Sequence, residues 1–129
     1  VEQLEGLGLV GPFKPHYETG RKVVRFMALD DEGKRAALRD NPLYGRVICR
    51  CEGVTEGEIV DSIRRPCGAV DMDGVKRRVR AGMGRCQGGF CTPRVMEILS
   101  RELDIPYTQV SKFGRRSWMV RDKKGACDD

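Results

Sequence analysis

Cys49-Arg50-Cys51 and Gly82-Met83-Gly84-Arg85-Cys86-Gln87-Gly88-Gly89-Phe90-Cys91 carry two cysteine pairs with 34 residues between them, a C-x-C-x34-C-x4-C pattern. Four thiolates from two short segments can converge on a small soft-metal centre. The glycines let the backbone approach closely and turn amide hydrogens toward sulfur. The rest of the chain is read outward from these two segments, as the scaffold that must bring them together.

Before the first pair, Arg46-Val47-Ile48 reads as extended and delivers Cys49 and Cys51 to a turn at Glu52-Gly53. After it, Thr55 and Glu58 have the S/T-x-x-E spacing of a capping box, and Ile59, Val60 and Ile63 give one buried helix face, ended by Pro66. A further helix is predicted from Asp71 or Asp73 as N-cap to about Ala81. Met72, Val75 and Val79 fall on one side of it, and Gly82 and Gly84 terminate it. The second cysteine pair runs directly into a helix predicted to be capped by Thr92, with Pro93 in its first turn and Val95, Ile98, Leu99 and Leu103 at helical spacing. The positive end of that helix favours an anionic sulfur at Cys91. Asp104-Ile105-Pro106 closes it, and Ser117-Trp118-Met119-Val120 reads as a short strand or docking segment.

Upstream, residues 1–44 read as an arm or linker with one short helix over Asp30–Arg39, acids at its start and bases toward its end, stopped by Asn41-Pro42. Residues 45–121 are the metal-binding domain and 122–129 a loose tail. The fold class expected is mainly α: helix-turn-helix units around the cysteine site, with a short strand or extended segments and an N-terminal arm. No internal repeat or low-complexity block interrupts it.

At 129 residues and 14.5 kDa, the chain accommodates one modest domain plus an arm and has no room for a flavin or nicotinamide domain beside a substrate domain. It reads as one module of a larger machine. A start at Val1 suggests an excised fragment, a C-terminal domain or a processed product. Charged residues are 33%, above the usual quarter, and 24 basic against 19 acidic side chains leave +5. Much of the surplus sits in Lys76-Arg77-Arg78-Val79-Arg80, a solvated helix face or a binding stripe. With no membrane-length apolar run and no secretory signal, a cytoplasmic protein is expected, and six cysteines in that compartment argue for ligation over disulfides.

Ligand type alone admits both zinc and iron–sulfur. Structural zinc usually takes tighter C-x2-C knuckles, whereas the wide C-x4-C loop with Gly88-Gly89 suits a larger object. A binuclear cluster offers two irons needing two thiolates each, and nearby amides offset its negative charge.

Three runs of residues point the same way. Val47-Ile48-Cys49-Arg50-Cys51-Glu52-Gly53-Val54-Thr55-Glu56-Gly57-Glu58-Ile59, then Asp73-Gly74-Val75-Lys76-Arg77-Arg78, then Gly82 to Cys91, together resemble the 2Fe-2S domain of the bacterioferritin-associated ferredoxin type. More narrowly, the chain is similar over about residues 42–120 to the version at the C-terminal end of FAD-dependent oxidoreductases of the anaerobic glycerol-3-phosphate dehydrogenase kind. The free-standing ferredoxins close with C-x2-C, and the C-x4-C spacing here is that of the oxidoreductase-linked members. The resemblance implies a small helical domain in which Cys49, Cys51, Cys86 and Cys91 ligate one 2Fe-2S cluster. That cluster would relay electrons from an FAD, held by a parent or partner dehydrogenase and not by this chain, to a downstream acceptor. The chain is then a non-catalytic domain or subunit of such an oxidoreductase. Arg50 and Arg85, each beside a ligand, are candidates to raise the cluster's potential.

Other signals carry less. Cys67, in Arg65-Pro66-Cys67-Gly68, reads as a bystander, a small buried hydrophobe, and Cys127 as idle. Gly6-Leu7-Gly8-Leu9-Val10-Gly11 matches a dinucleotide fingerprint but lacks the preceding strand, and Pro12 and Pro15 oppose the following helix. His16, the one histidine, has no catalytic partner in the sequence. The rival from another class is a zinc-stabilised helix-turn-helix module that binds nucleic acid through Lys76 to Arg80. Base-reading Asn or Gln side chains are missing from that helix, so a nucleic-acid partner is not expected.

Overall fold

The computed structural model describes residues 6–8, 23–114 and 116–121. Residues 9–11 of the glycine-rich stretch, His16, Cys127 and the 122–129 tail lie outside the described residues.

Helix α1 (Asp31–Asp40) begins where the Asp30 carboxylate accepts the Gly33 amide, with Asp31 and Glu32 in the first turn. The favourable charge of acids near a helix N-terminus explains the polarity of this segment. Asn41 ends it, and its side chain starts a 3-10 turn over Pro42–Gly45 that buries Tyr44. The Tyr44 hydroxyl donates to the Asp61 carboxylate, and its ring lies against Gly57, where any β-carbon would stand 2.8 Å from Tyr44 Cγ.

Next come β1 (Val47–Cys49) and β2 (Val54–Thr55), an antiparallel pair in which Val47 faces Thr55 and Cys49 faces Val54. The register slips by one residue between Val47 and Cys49, an irregularity that re-aims the strand end carrying the first cysteine. Helix α2 (Glu56–Arg64) follows without a break, and the expected capping box is present: Thr55 accepts the Glu58 amide, and Glu58 accepts the Thr55 amide at 2.8 Å. Val54 and Thr55 thus serve as strand as well as helix entry. The hairpin was not visible in the sequence because so short a pairing has no alternating pattern of its own and depends on Val47 meeting Thr55 across the cysteine turn.

Helix α3 (Met72–Val79) is capped by Asp71, the first of the two candidates. Its end corrects the sequence reading. The helix ends at Arg80, with φ 69°, ahead of Gly82, which is left-handed as well at φ 89°, and the Arg80 Nε donates to Glu52 Oε2 at 2.7 Å. Helix α4 (Thr92–Leu103) also starts one residue earlier than expected. Cys91 is the N-cap and Thr92 the first helical residue, since the Thr92 amide is held by the Gly88 carbonyl at 3.0 Å and the Val95 amide by that of Cys91 at 2.9 Å.

Helices α2, α3 and α4 pack around Ile59, Val60, Val75, Val95 and Leu99, all nearly inaccessible to solvent, with Cys49 and Cys91 in the same cluster. The C-terminal segment docks on the start of α3. Met72 and Asp73 amides donate to the Ser111 and Lys112 carbonyls, the Gly114 amide donates to Asp71, and Ser111 bridges Trp118. Among the described residues the molecule is a small, mainly helical domain with one two-stranded sheet, as its residue pattern implies.

Candidate metal centre

Strand β1 and the turn after it supply Cys49 and Cys51; the loop from α3 into α4 supplies Cys86 and Cys91. All four line one cavity of about 590 Å³, whose walls are completed by Val47, Ile48, Arg50, Arg85 and Phe90. The sulfurs form two close pairs that cross between the segments. Cys51 Sγ lies 3.7 Å from Cys86 Sγ, and Cys49 contacts Cys91. Cys49 and Cys91 are 2% exposed and sit on the core side, whereas Cys51 is exposed and Cys86 partly so.

The loop between Cys86 and Cys91 wraps its own sulfur. The backbone amide of Phe90, then the Cys51 thiol, then the amides of Gly88 and Gly89 hold the Cys86 thiol below its ordinary pKa, because each favours the anion. At Cys91 the expected favouring of the anion by the helix end is outweighed: burial pushes the thiol up to about 11, with the neighbouring Cys49 adding to the effect. Gly84 explains why the second motif is glycine-rich. A β-carbon there would stand 2.2 Å from Cys51 Cβ and 3.4 Å from its Sγ, so the absence of a side chain admits the first cysteine segment.

The residues present fit a binuclear iron–sulfur cluster. The donors are soft, the cavity is larger than one ion needs, and amides face the sulfurs. Among the described residues no three His, Cys, Asp or Glu side chains stand close enough to grip a single metal ion.

Arg50 and Arg85 line the same cavity and are exposed, as their places beside ligands imply. The basic helix face is engaged within the chain. Arg77 lies 3.6 Å from Asp73 and 4.9 Å from the centre of the Phe113 ring, Arg78 donates to the Gly74 and Cys67 carbonyls, and Arg80 pairs with Glu52. Cys67 does not line the cavity, but the reason expected for its idleness is corrected: it is exposed, not buried, on a backbone with φ 54°. Val47 and Ile48, read from the sequence as the extended run leading to the cysteines, also wall the cavity, and Glu52 of the expected turn pairs with Arg80; neither role has a distinctive spacing in the sequence.

No helix among the described residues is long and apolar enough to cross a membrane. Comparison with known proteins supplies the family. Residues 47–101 match the model of the BFD-like [2Fe-2S] binding domain. The chain is 50% identical over 100 residues to a glycerol 3-phosphate dehydrogenase of Caloramator mitchellensis, covering 78% of this chain and 21% of that protein. It is 34% identical over 103 residues to an anaerobic glycerol-3-phosphate dehydrogenase subunit of Escherichia coli K12, 74% of this chain and 19% of the relative. It is 46% identical over 59 residues to the hydrogen cyanide synthase subunit HcnB of Pseudomonas aeruginosa, 43% and 12% respectively. The chain therefore spans about a fifth or less of the length of these relatives. No solved structure matches it at a significant level. With both cysteine pairs inside the matched segment and gathered at one cavity, residues 47–101 belong to the BFD-like 2Fe-2S family, an iron–sulfur electron-transfer domain.

Proposed function

We propose that Cys49, Cys51, Cys86 and Cys91 hold one 2Fe-2S cluster, and that this domain relays single electrons from the FAD of a dehydrogenase to a separate acceptor. The observation that carries the reading is the gathering of these four sulfurs, from two segments, around one cavity. Bound there, a 2Fe-2S cluster supplies reversible one-electron chemistry. The chain's own residues supply the setting. Cys49 and Cys91 bury one side in the core and exclude water from it. The Phe90, Gly88 and Gly89 amides turn toward Cys86, and the Arg50 and Arg85 guanidiniums face a site of net negative charge, which favours the reduced form.

Catalysis on substrate is assigned to residues outside this domain. Relatives named for glycerol 3-phosphate oxidation and for hydrogen cyanide synthesis share the module, which suits a common electron carrier joined to different substrate sites. The flavin-bearing partner and a glycerol-3-phosphate-like substrate are parts of the same proposal.

Anaerobic purification with iron and sulfide analysis and a visible spectrum tests the reading. Two irons and two sulfides per chain are expected, lost on Cys86→Ser. A colourless protein with one tightly held zinc would overturn it.

A further inference from the structure

We propose that the Arg80–Glu52 ion pair is a clamp that positions Cys51 and so governs how long the cluster stays bound. The inference rests on the four-sulfur reading above.

The four sulfurs are not equally secured. Cys49 and Cys91 are embedded in the core, and Cys86 is wrapped by the amides of its own loop. Cys51 is exposed, on a short turn whose end, Gly53, takes φ 63°. A cluster is released most readily from its least secured ligand, and that ligand is Cys51. The residue beside it, Glu52, has a side chain only 21% exposed, and its carboxylate accepts from Arg80 Nε at 2.7 Å.

Arg80 is well placed to act as a fixed post. Its amide donates to the Lys76 carbonyl at the end of α3, and its neighbours Val79 and Ala81 are each 5% exposed, anchored in the core on both sides. Its backbone is left-handed, a conformation in which glycine is comfortable and a β-carbon is strained. Gly82 follows two residues later and is left-handed too, at φ 89°, yet the helix is already ended at the arginine. A side chain kept in an unfavourable conformation points to a contact that offsets the strain, and the contact observed is the Glu52 carboxylate. The chain of support runs from the apolar core through α3 and Arg80 to Glu52, and so to Cys51. The pairing also cancels a carboxylate charge one residue from a thiolate ligand, where a bare anion would repel the cluster.

Arg80 and Glu52 are positioning residues, and the readout that separates this role from general folding is cluster retention measured against the stability of the cluster-free chain. The reconstituted protein and its Glu52→Ala and Arg80→Gly variants are mixed with an iron chelator, and the decay of the visible absorbance is followed. The cluster-free forms are melted in parallel. Both variants are expected to lose the cluster about tenfold faster, as for other partners that orient a metal ligand. Cluster-free Arg80→Gly should melt no lower than the parent, because glycine relieves the left-handed strain. Release at the parental rate, or faster release that merely follows a lower melting temperature in both variants, would overturn the clamp alone. A parent chain that takes up no cluster would overturn the four-sulfur reading with it.

Discussion

At the scale of single residues, the site depends on side chains that are missing as much as on those that are present. Gly84 and Gly82 lie two positions apart in the same loop yet answer to different constraints. At Gly84 a β-carbon would overlap Cys51 Cβ at 2.2 Å; at Gly82 it would meet nothing within 4 Å, but the backbone holds φ 89°. Gly84→Ala should therefore push the two cysteine segments apart and sharply reduce iron per chain while the helical circular dichroism persists. Gly82→Ala should retain iron and instead cost about 1 kcal/mol of stability through backbone strain. Iron analysis and denaturant unfolding of the two variants check the contrast, and equal iron loss in both would refute it. That the four cysteines gather at one cavity, with glycines near sulfur, was legible in the sequence, because residue type and spacing are local information. Which glycine served which purpose was not, nor was the exposure of Cys67 or the left-handed turn at Arg80; the approach of Cys51 to Gly84 and of Glu52 to Arg80 joins segments distant along the chain and has no local signature.

Among elements, the helices announced themselves. Ile59 and Ile63, Val75 and Val79, and Val95 and Leu99 recur at helical spacing and are all buried, and the Thr55–Glu58 capping box fixes the start of α2. The contacts that join helix to helix left no such trace. Glu56, 4% exposed, takes Arg46 at 3.3 Å and Arg101 at 2.9 Å, and Glu102 takes Arg64 at 2.6 Å and Arg101 at 3.0 Å, a lattice that ties α2 to α4. Arg46 and Arg101 meet on one carboxylate from opposite ends of the domain, a separation beyond any periodicity. Burial by itself would raise the pKa of Glu102, but the guanidinium donors of Arg64 and Arg101 outweigh it and hold the carboxyl below its ordinary value. A carboxyl with a lowered folded pKa contributes stability that is present above its unfolded pKa and lost as pH falls through the folded one. Between neutrality and about pH 4.5 the contribution should be constant, and below that it should decline. In Glu102→Gln this part of the acid dependence should disappear, leaving a flatter stability curve at about pH 3–5 in denaturant titrations. An unchanged acid limb would show that other carboxylates carry it.

For the molecule as a whole, the question is whether the cluster builds the fold or only completes it. The core of α2, α3 and α4 closes through Ile59, Val75, Val95 and Leu99, and Ser111 and Lys112 are held by backbone hydrogen bonds to the start of α3; neither requires the sulfurs to be bridged. On the proposed ligation, the cluster would add a cross-link between residues 49–51 and 86–91. Closing a loop of that length by a covalent bridge is worth about 3–4 kcal/mol in chain entropy, and a cluster bound only by the folded chain acts in the same direction. In a domain of this size that corresponds to roughly 15 °C in melting temperature. Chelation of the iron should thus lower the melting temperature by about that amount while leaving the far-ultraviolet helical signal nearly intact. Faster amide exchange should be confined to the 50–53 turn and the 82–91 loop. Melting curves, circular dichroism and hydrogen exchange on loaded and chelated protein make the comparison. Collapse of the helical signal on chelation would mean that the apolar helices cannot close without the metal, and that the cysteines set the fold as well as the site.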